Sequence, residues 1–154
     1  MGGIGMNFSV KIYNAAEIGR LRSGCQFYSL EFPEEVFRKS DEELVRVCNG
    51  VGPDDWSAAL RKALTKLFGN YEVAAFVHDI RFEYLIGDCD SADLEFKRNL
   101  LRIWRKHYGW RRFIWPAAWV ERRALLGIYA LLRMGSQKAW EAVKKRKEAD
   151  YAVQ

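Results

Sequence analysis

The sequence predicts a mainly α-helical fold, and three observations carry that expectation. From Pro33 onward, apolar residues recur at spacings of three and four, which gathers them on one face of a helix. Capping residues and glycines punctuate those runs at helix-length intervals. The chain has 154 residues, 49% apolar and 29% charged, enough for one domain with its own hydrophobic core. No repeat, low-complexity tract or long linker divides it. Residues 1–154 therefore read as a single domain in three parts: an N-terminal segment over 1–32, a core over 33–108, and a basic, Trp-rich helical part over 109–154.

Each element has its own signal. "NFSVKIY" and "CQFYSLEF" have strand-like aromatic and β-branched content, so a short irregular or β segment is expected over 1–32, with "AAEIGRLR" helical inside it. Ser40 and Glu43 form a capping-box pattern that opens a helix through Cys48, and Asn49-Gly50 stops it. Asp54 or Asp55 caps a second helix, with Trp56, Leu60, Leu64 and Leu67 on one face and Gly69 at its end. Asn70 caps a third that runs to Ile86 before Gly87, and Ser91 starts a fourth that reaches Tyr108. Pro116 suits the first turn of a fifth, ending at Met134 before Gly135. Ser136 then caps a last, basic helix.

Three polar residues interrupt these stripes. On the third helix, Tyr71, Ala75, His78, Phe82 and Leu85 or Ile86 share a face, and Asp79 lies one position around from His78. On the fourth, Phe96, Leu100, Ile103 and Trp104 form a stripe whose backward extension is Asp93. The connecting "GDCD" is short, so the two helices are antiparallel neighbours. Inward-facing His78 and Asp93 then come within reach of each other. Such a pair suits acid–base chemistry: the carboxylate fixes the imidazole tautomer, and the other ring nitrogen takes a proton from water. Asp79, pointing elsewhere, suits a hard cation such as calcium, which prefers carboxylate and carbonyl oxygens. "CNGVGPDD" at 48–55 supplies a glycine-rich turn able to offer carbonyls. A purely structural ion pair and a plain turn are the competing readings of the same residues.

Together these residues resemble the phospholipase A2 superfamily. They are most similar to small phage and prophage proteins with a phospholipase A2-like domain. "CNGVGP" at 48–53, "AFVHD" at 75–79 and "ADLEFKRNL" at 92–100 follow that group's motifs in order. "RRALLGIYALLRMGSQKAW" is similar to its C-terminal helix, so the resemblance covers about residues 27–143. It implies a phospholipase A2-like core with antiparallel helices carrying His-Asp and Asp. It implies calcium-dependent hydrolysis of a phospholipid sn-2 ester. His78 would be the general base, Asp93 its orienting partner and Asp79 a calcium ligand, with carbonyls near Asn49, Gly50 and Gly52 completing the calcium shell. The chain also departs from the family. Ala74 and Ala75 stand where secreted members carry cysteines, as does Arg81, and Phe82 stands where a tyrosine usually holds the second aspartate. Val51 occupies a position that is often cysteine in the phage group.

Charge is distributed unevenly. From Lys97 to Lys147 there are 15 Lys or Arg and two acidic residues, Glu121 and Glu141, so this half suits an anionic partner. Trp110, Arg111, Arg112, Trp115 and Trp119 combine rings and cations as a phospholipid surface requires. A non-enzymatic phage structural or host-interaction protein on the same fold is one rival reading. A nucleic-acid-binding module using the basic half is a less favoured second. Cys25, Cys48 and Cys89 form no metal or disulfide spacing, and the sequence shows neither a signal peptide nor a spanning helix. A cytoplasmic chain is thus expected, with association with a virion implied by the resemblance.

Overall fold

The computed structural model describes residues 13–48 and 68–152. Its described residues are mainly helical and contain no strand. The helices are α1 (Ala15–Phe27), α2 (Glu35–Arg38), α3 (Asp41–Val47), α4 (Glu72–Glu83), α5 (Cys89–Tyr108) and α6 (Pro116–Ala152). Short 3-10 turns at Gly69–Tyr71 and Gly109–Phe113 lead into α4 and follow α5.

Within the irregular or β segment expected over 1–32, the strand over "CQFYSLEF" is corrected, because that stretch begins inside α1 and forms no strand, and the helix expected over "AAEIGRLR" is present as α1, which runs on to Phe27. Ile18, Leu21 and Cys25 are fully buried on its inner face, and that burial outweighs the strand propensity of the neighbouring aromatics. Asn14 opens α1 with a full capping box, accepting from the Glu17 N–H while the Glu17 carboxylate accepts from the Asn14 N–H. Ser40 caps α3 as expected, accepting from the Glu43 N–H at 3.2 Å. The expected helix over 54–69 lies outside the described residues, apart from its last two.

Two starts shift and one break disappears. Asn70 sits inside the 3-10 turn and caps nothing. Asp88, not Ser91, caps α5 by accepting from the Ser91 N–H at 2.9 Å. Gly135 does not end a helix. One helix of 37 residues runs through it, because Leu125, Tyr129, Ser136 and Trp140 all lie on the buried face and keep it packed. Burial of that face outweighs the local cost of a helical glycine, about 1 kcal/mol.

The central pair is α4 and α5. Ala74, Phe76, Val77 and Ile80 of α4 are buried, as are Phe96, Leu100 and Ile103 of α5. The turn between them is tight. The Ile86 N–H donates to the Arg81 carbonyl and the Leu85 N–H to that of Phe82, the double closure that ends many helices. Leu85 takes the left-handed position itself, at φ 51°. A leucine there is strained by about 1–2 kcal/mol, and its side chain packs against the buried cluster of Cys89, Ala92 and Trp140. α1 lies against α4 on one side, and α6 lies along α5 on the other.

Candidate functional site

The short α4–α5 turn and the stripe spacing bring His78 to Asp93. His78 Nε2 lies 2.9 Å from Asp93 Oδ1. Asp93 is 1% exposed, where an unpaired carboxylate would cost several kcal/mol, so both of its oxygens need partners. The second is met from a third helix: Ser136 Oγ donates to Asp93 Oδ2 at 2.6 Å. Ser136 was not among the sequence-derived candidates, since its position after Gly135 marks it as a helix cap. Its one signal was spacing, four residues before Trp140 and seven after Tyr129, on the buried face of α6.

Aromatic rings wall this chain of hydrogen bonds. Phe82 lies 4.3 Å from the His78 ring between centroids, and Phe96 lies at 5.1 Å. Trp140 meets Phe82 edge-on at 5.0 Å. The Phe82 ring therefore lies tilted against His78, and the hydroxyl that donates to Asp93 comes from Ser136. His78 is 7% exposed. One turn further along α4, Arg81 makes a bidentate ion pair with the buried Glu95 of α5, which fixes the register of the two helices.

Asp79 faces away from this pair and is only partly buried. Its charge reaches Tyr13 and Cys48. Burial, and then the Asp79 carboxylate, push both the Tyr13 phenol and the Cys48 thiol upward. Cys48 is the C-cap of α3 and directly precedes Asn49, so Asp79 lies on the side where the glycine-rich stretch begins. Asn49, Gly50 and Gly52 lie outside the described residues.

Among the described residues, no group of three His, Cys, Asp or Glu is placed to hold a metal. The Tyr13 hydroxyl, within reach of the Asp79 charge, is buried without a hydrogen-bond partner among those residues.

The tryptophans divide. Trp104 is buried and its indole N–H donates to the Ala118 carbonyl at 2.9 Å, so it belongs to the core. Trp110, Trp115 and Trp119 are exposed, together with Phe113 and Ile114. Arg111 lies 5.4 Å from the Trp115 ring centroid, and Arg112 lies 4.6 Å from that of Phe113. These residues gather at the start of α6 and in the 3-10 turn before it.

No family model, curated protein or solved structure matches this chain. The site is a histidine held by the Asp93 carboxylate of the next helix, that carboxylate held in turn by Ser136, and a second aspartate, Asp79, on the histidine's own helix facing a different environment. No helix among the described residues is long and apolar enough to cross a membrane.

Proposed function

We propose that this chain is a phospholipase A2-like hydrolase of phage or prophage type that cleaves a phospholipid sn-2 ester. The observation that supports it most is the 2.9 Å contact between His78 Nε2 and Asp93 Oδ1, with Asp79 adjacent on α4. With Nε2 bonded to the carboxylate, Nδ1 is the nitrogen that accepts a proton from water. Asp93 holds the ring in that tautomer and stabilises the imidazolium that follows. Ser136 holds Asp93, so each orienting group is itself oriented. Asp79 and the carbonyls of Asn49, Gly50 and Gly52 would hold calcium, which would supply charge stabilisation for a developing oxyanion. Trp110, Trp115 and Trp119 with Arg111 and Arg112 meet the headgroup region of an anionic phospholipid surface.

A second reading is favoured by one observation. His78 is only 7% exposed and is bracketed by Phe82 and Phe96, as suits a structural histidine–carboxylate lock in a non-enzymatic protein. Hydrolysis of mixed phospholipid vesicles separates the two. Fatty acid release that requires both calcium and His78, lost in His78→Ala and with chelator, supports the hydrolase. No release from the folded protein rules it out and leaves the lock.

A further inference from the structure

Two separate clusters hold α6. Ala118, Leu125, Tyr129 and Leu132 pack in the main core. Trp140 instead packs in a small second cluster with Cys89, Ala92, Phe82 and Leu85, around the α4–α5 turn. Gly135 lies between the two. It is exposed, and a Cβ there would meet nothing within 4 Å among the described residues. No contact with them calls for a glycine, yet glycine weakens a helix relative to alanine. Gly135 and Ser136 together form the kind of Gly–Ser pair at which long helices bend.

The part of α6 beyond this pair covers His78. Of the two rings against the His78 imidazole, Phe96 is fixed in the main core, whereas Phe82 is only partly buried and belongs to the second cluster. Trp140 meets Phe82 edge-on. Further along, α6 is fastened by charge. Glu83, one residue after Phe82, pairs with both Arg146 and Lys147. All three side chains are partly exposed, between 24% and 54%, and such pairs are weak and yield to salt. A single buried side chain, Trp140, and two exposed ion pairs thus hold residues 137–152 among the described residues. Segments held so lightly open locally before the rest of a fold does.

We propose that residues 137–152 are a lid on His78, hinged at Gly135 and Ser136 and latched by Glu83. Closed, the lid leaves His78 7% exposed. Swung outward, it takes Trp140 off Phe82, and Phe82 is then free to turn from the imidazole. Ser136 sits at the hinge, so its hydroxyl keeps Asp93 while residues further along the helix move away. The lid deepens the hydrolase reading and rests on it for its purpose, because it gives a buried base a route to water and ester.

Chemical access to His78, read without lipid, is the direct test. Diethyl pyrocarbonate modifies neutral imidazole, and the chain has two histidines. His107 is exposed and serves as the internal reference. Rates are read by peptide mass at about pH 8, where an ordinary imidazole is neutral. Glu83→Gln is expected to speed modification of His78 relative to His107 by about two- to tenfold. Gly135→Ala, which stiffens the hinge, is expected to slow it by about two- to fivefold. Rising salt should speed the wild type and leave Glu83→Gln unchanged. Hydrogen exchange guards against general loosening. In Glu83→Gln the amides of 137–147 should exchange faster, while those of 74–80 and 118–132 keep their wild-type rates. An unchanged His78 rate in either variant overturns the proposal, as does faster exchange spread equally over the three segments. None of these readouts uses an ester. A lid that opens on a protein that cleaves nothing removes the hydrolase and keeps the lid, and cleavage without these changes does the reverse.

Discussion

Ser136 Oγ donates to Asp93 Oδ2 at 2.6 Å across 43 residues of sequence. It completes the coordination of a carboxylate whose other oxygen holds His78. Three helices thereby converge on one buried group. A hydrogen bond to a charged acceptor in such a place is among the stronger ones a protein makes, and leaving the acceptor without it is costly.

Ser136→Ala is therefore expected to destabilise the fold by about 1–3 kcal/mol, lowering the melting temperature by about 2–4 °C for each kcal/mol. The exposed neighbour Gln137 serves as the control, and Gln137→Ala should melt with the wild type. Equal melting temperatures for all three proteins would show that the Asp93 carboxylate does not depend on the serine.

If the chain hydrolyses phospholipid, two aspartate replacements should separate by role. Asp93→Asn leaves the imidazole with the wrong partner and should lower the rate by about 10²–10⁴-fold at any calcium concentration. Asp79→Asn removes a ligand oxygen charge, so its loss should be partly recovered by raising calcium. Initial rates measured across a calcium titration check both. Identical calcium dependence in the two variants would remove the division of labour between them.

How far the sequence revealed this arrangement depended on whether the deciding contact was local or distant. His78 and Asp93 were legible because each broke an apolar stripe of fixed period, and a short turn constrained how their helices paired. The helical period also places Asp79 one residue around from His78, off that stripe, and there the structure leaves it partly buried. Ser136 was not, because glycine and serine are strong local punctuation, and only packing of α6 along α5 overrules it. The N-terminal segment failed similarly. Its aromatics suggest strands locally, while Ile18, Leu21 and Cys25 are buried in a core that α1 shares with α3 and α4, later in the chain. Glu121, an isolated acid in a basic tract, gave no sequence sign of its partners. They are Tyr71 and Tyr108, whose hydroxyls donate to its two oxygens.

That clamp predicts an alkaline weakness. Hydrogen bonding to Glu121 pushes the Tyr108 phenol up to about 12. Burial, and then the same carboxylate, push Tyr71 higher still. Both folded values exceed the unfolded value near 10, so the folded state holds these protons more tightly. Their contribution is complete below about pH 10 and falls as pH rises toward the folded values. Urea midpoints at about pH 9 and about pH 11 should therefore drop for the wild type. Glu121→Gln should be less stable at neutral pH, since its amide nitrogen cannot accept from a phenol, and should lose less between the two pH values. Equal losses in the two proteins would exclude the clamp as their cause.

Gly24 offers a test of how tightly α1 sits on α4. A Cβ there would lie 2.9 Å from Val73 Cγ2 and 3.2 Å from Cγ1, and Val73 is itself 3% exposed with little room to move. Alanine at this helical position gains about 1 kcal/mol in propensity. Overpacking a buried contact costs about 1–3 kcal/mol, so the clash should outweigh the gain and Gly24→Ala should destabilise. In a Val73→Ala background the clashing methyl groups are gone, and the same change should become neutral or stabilising. Denaturant unfolding of the four proteins gives the coupling directly. Additive effects across that cycle would mean that the helices can part at this point without strain, and that their close approach is not what keeps glycine at position 24.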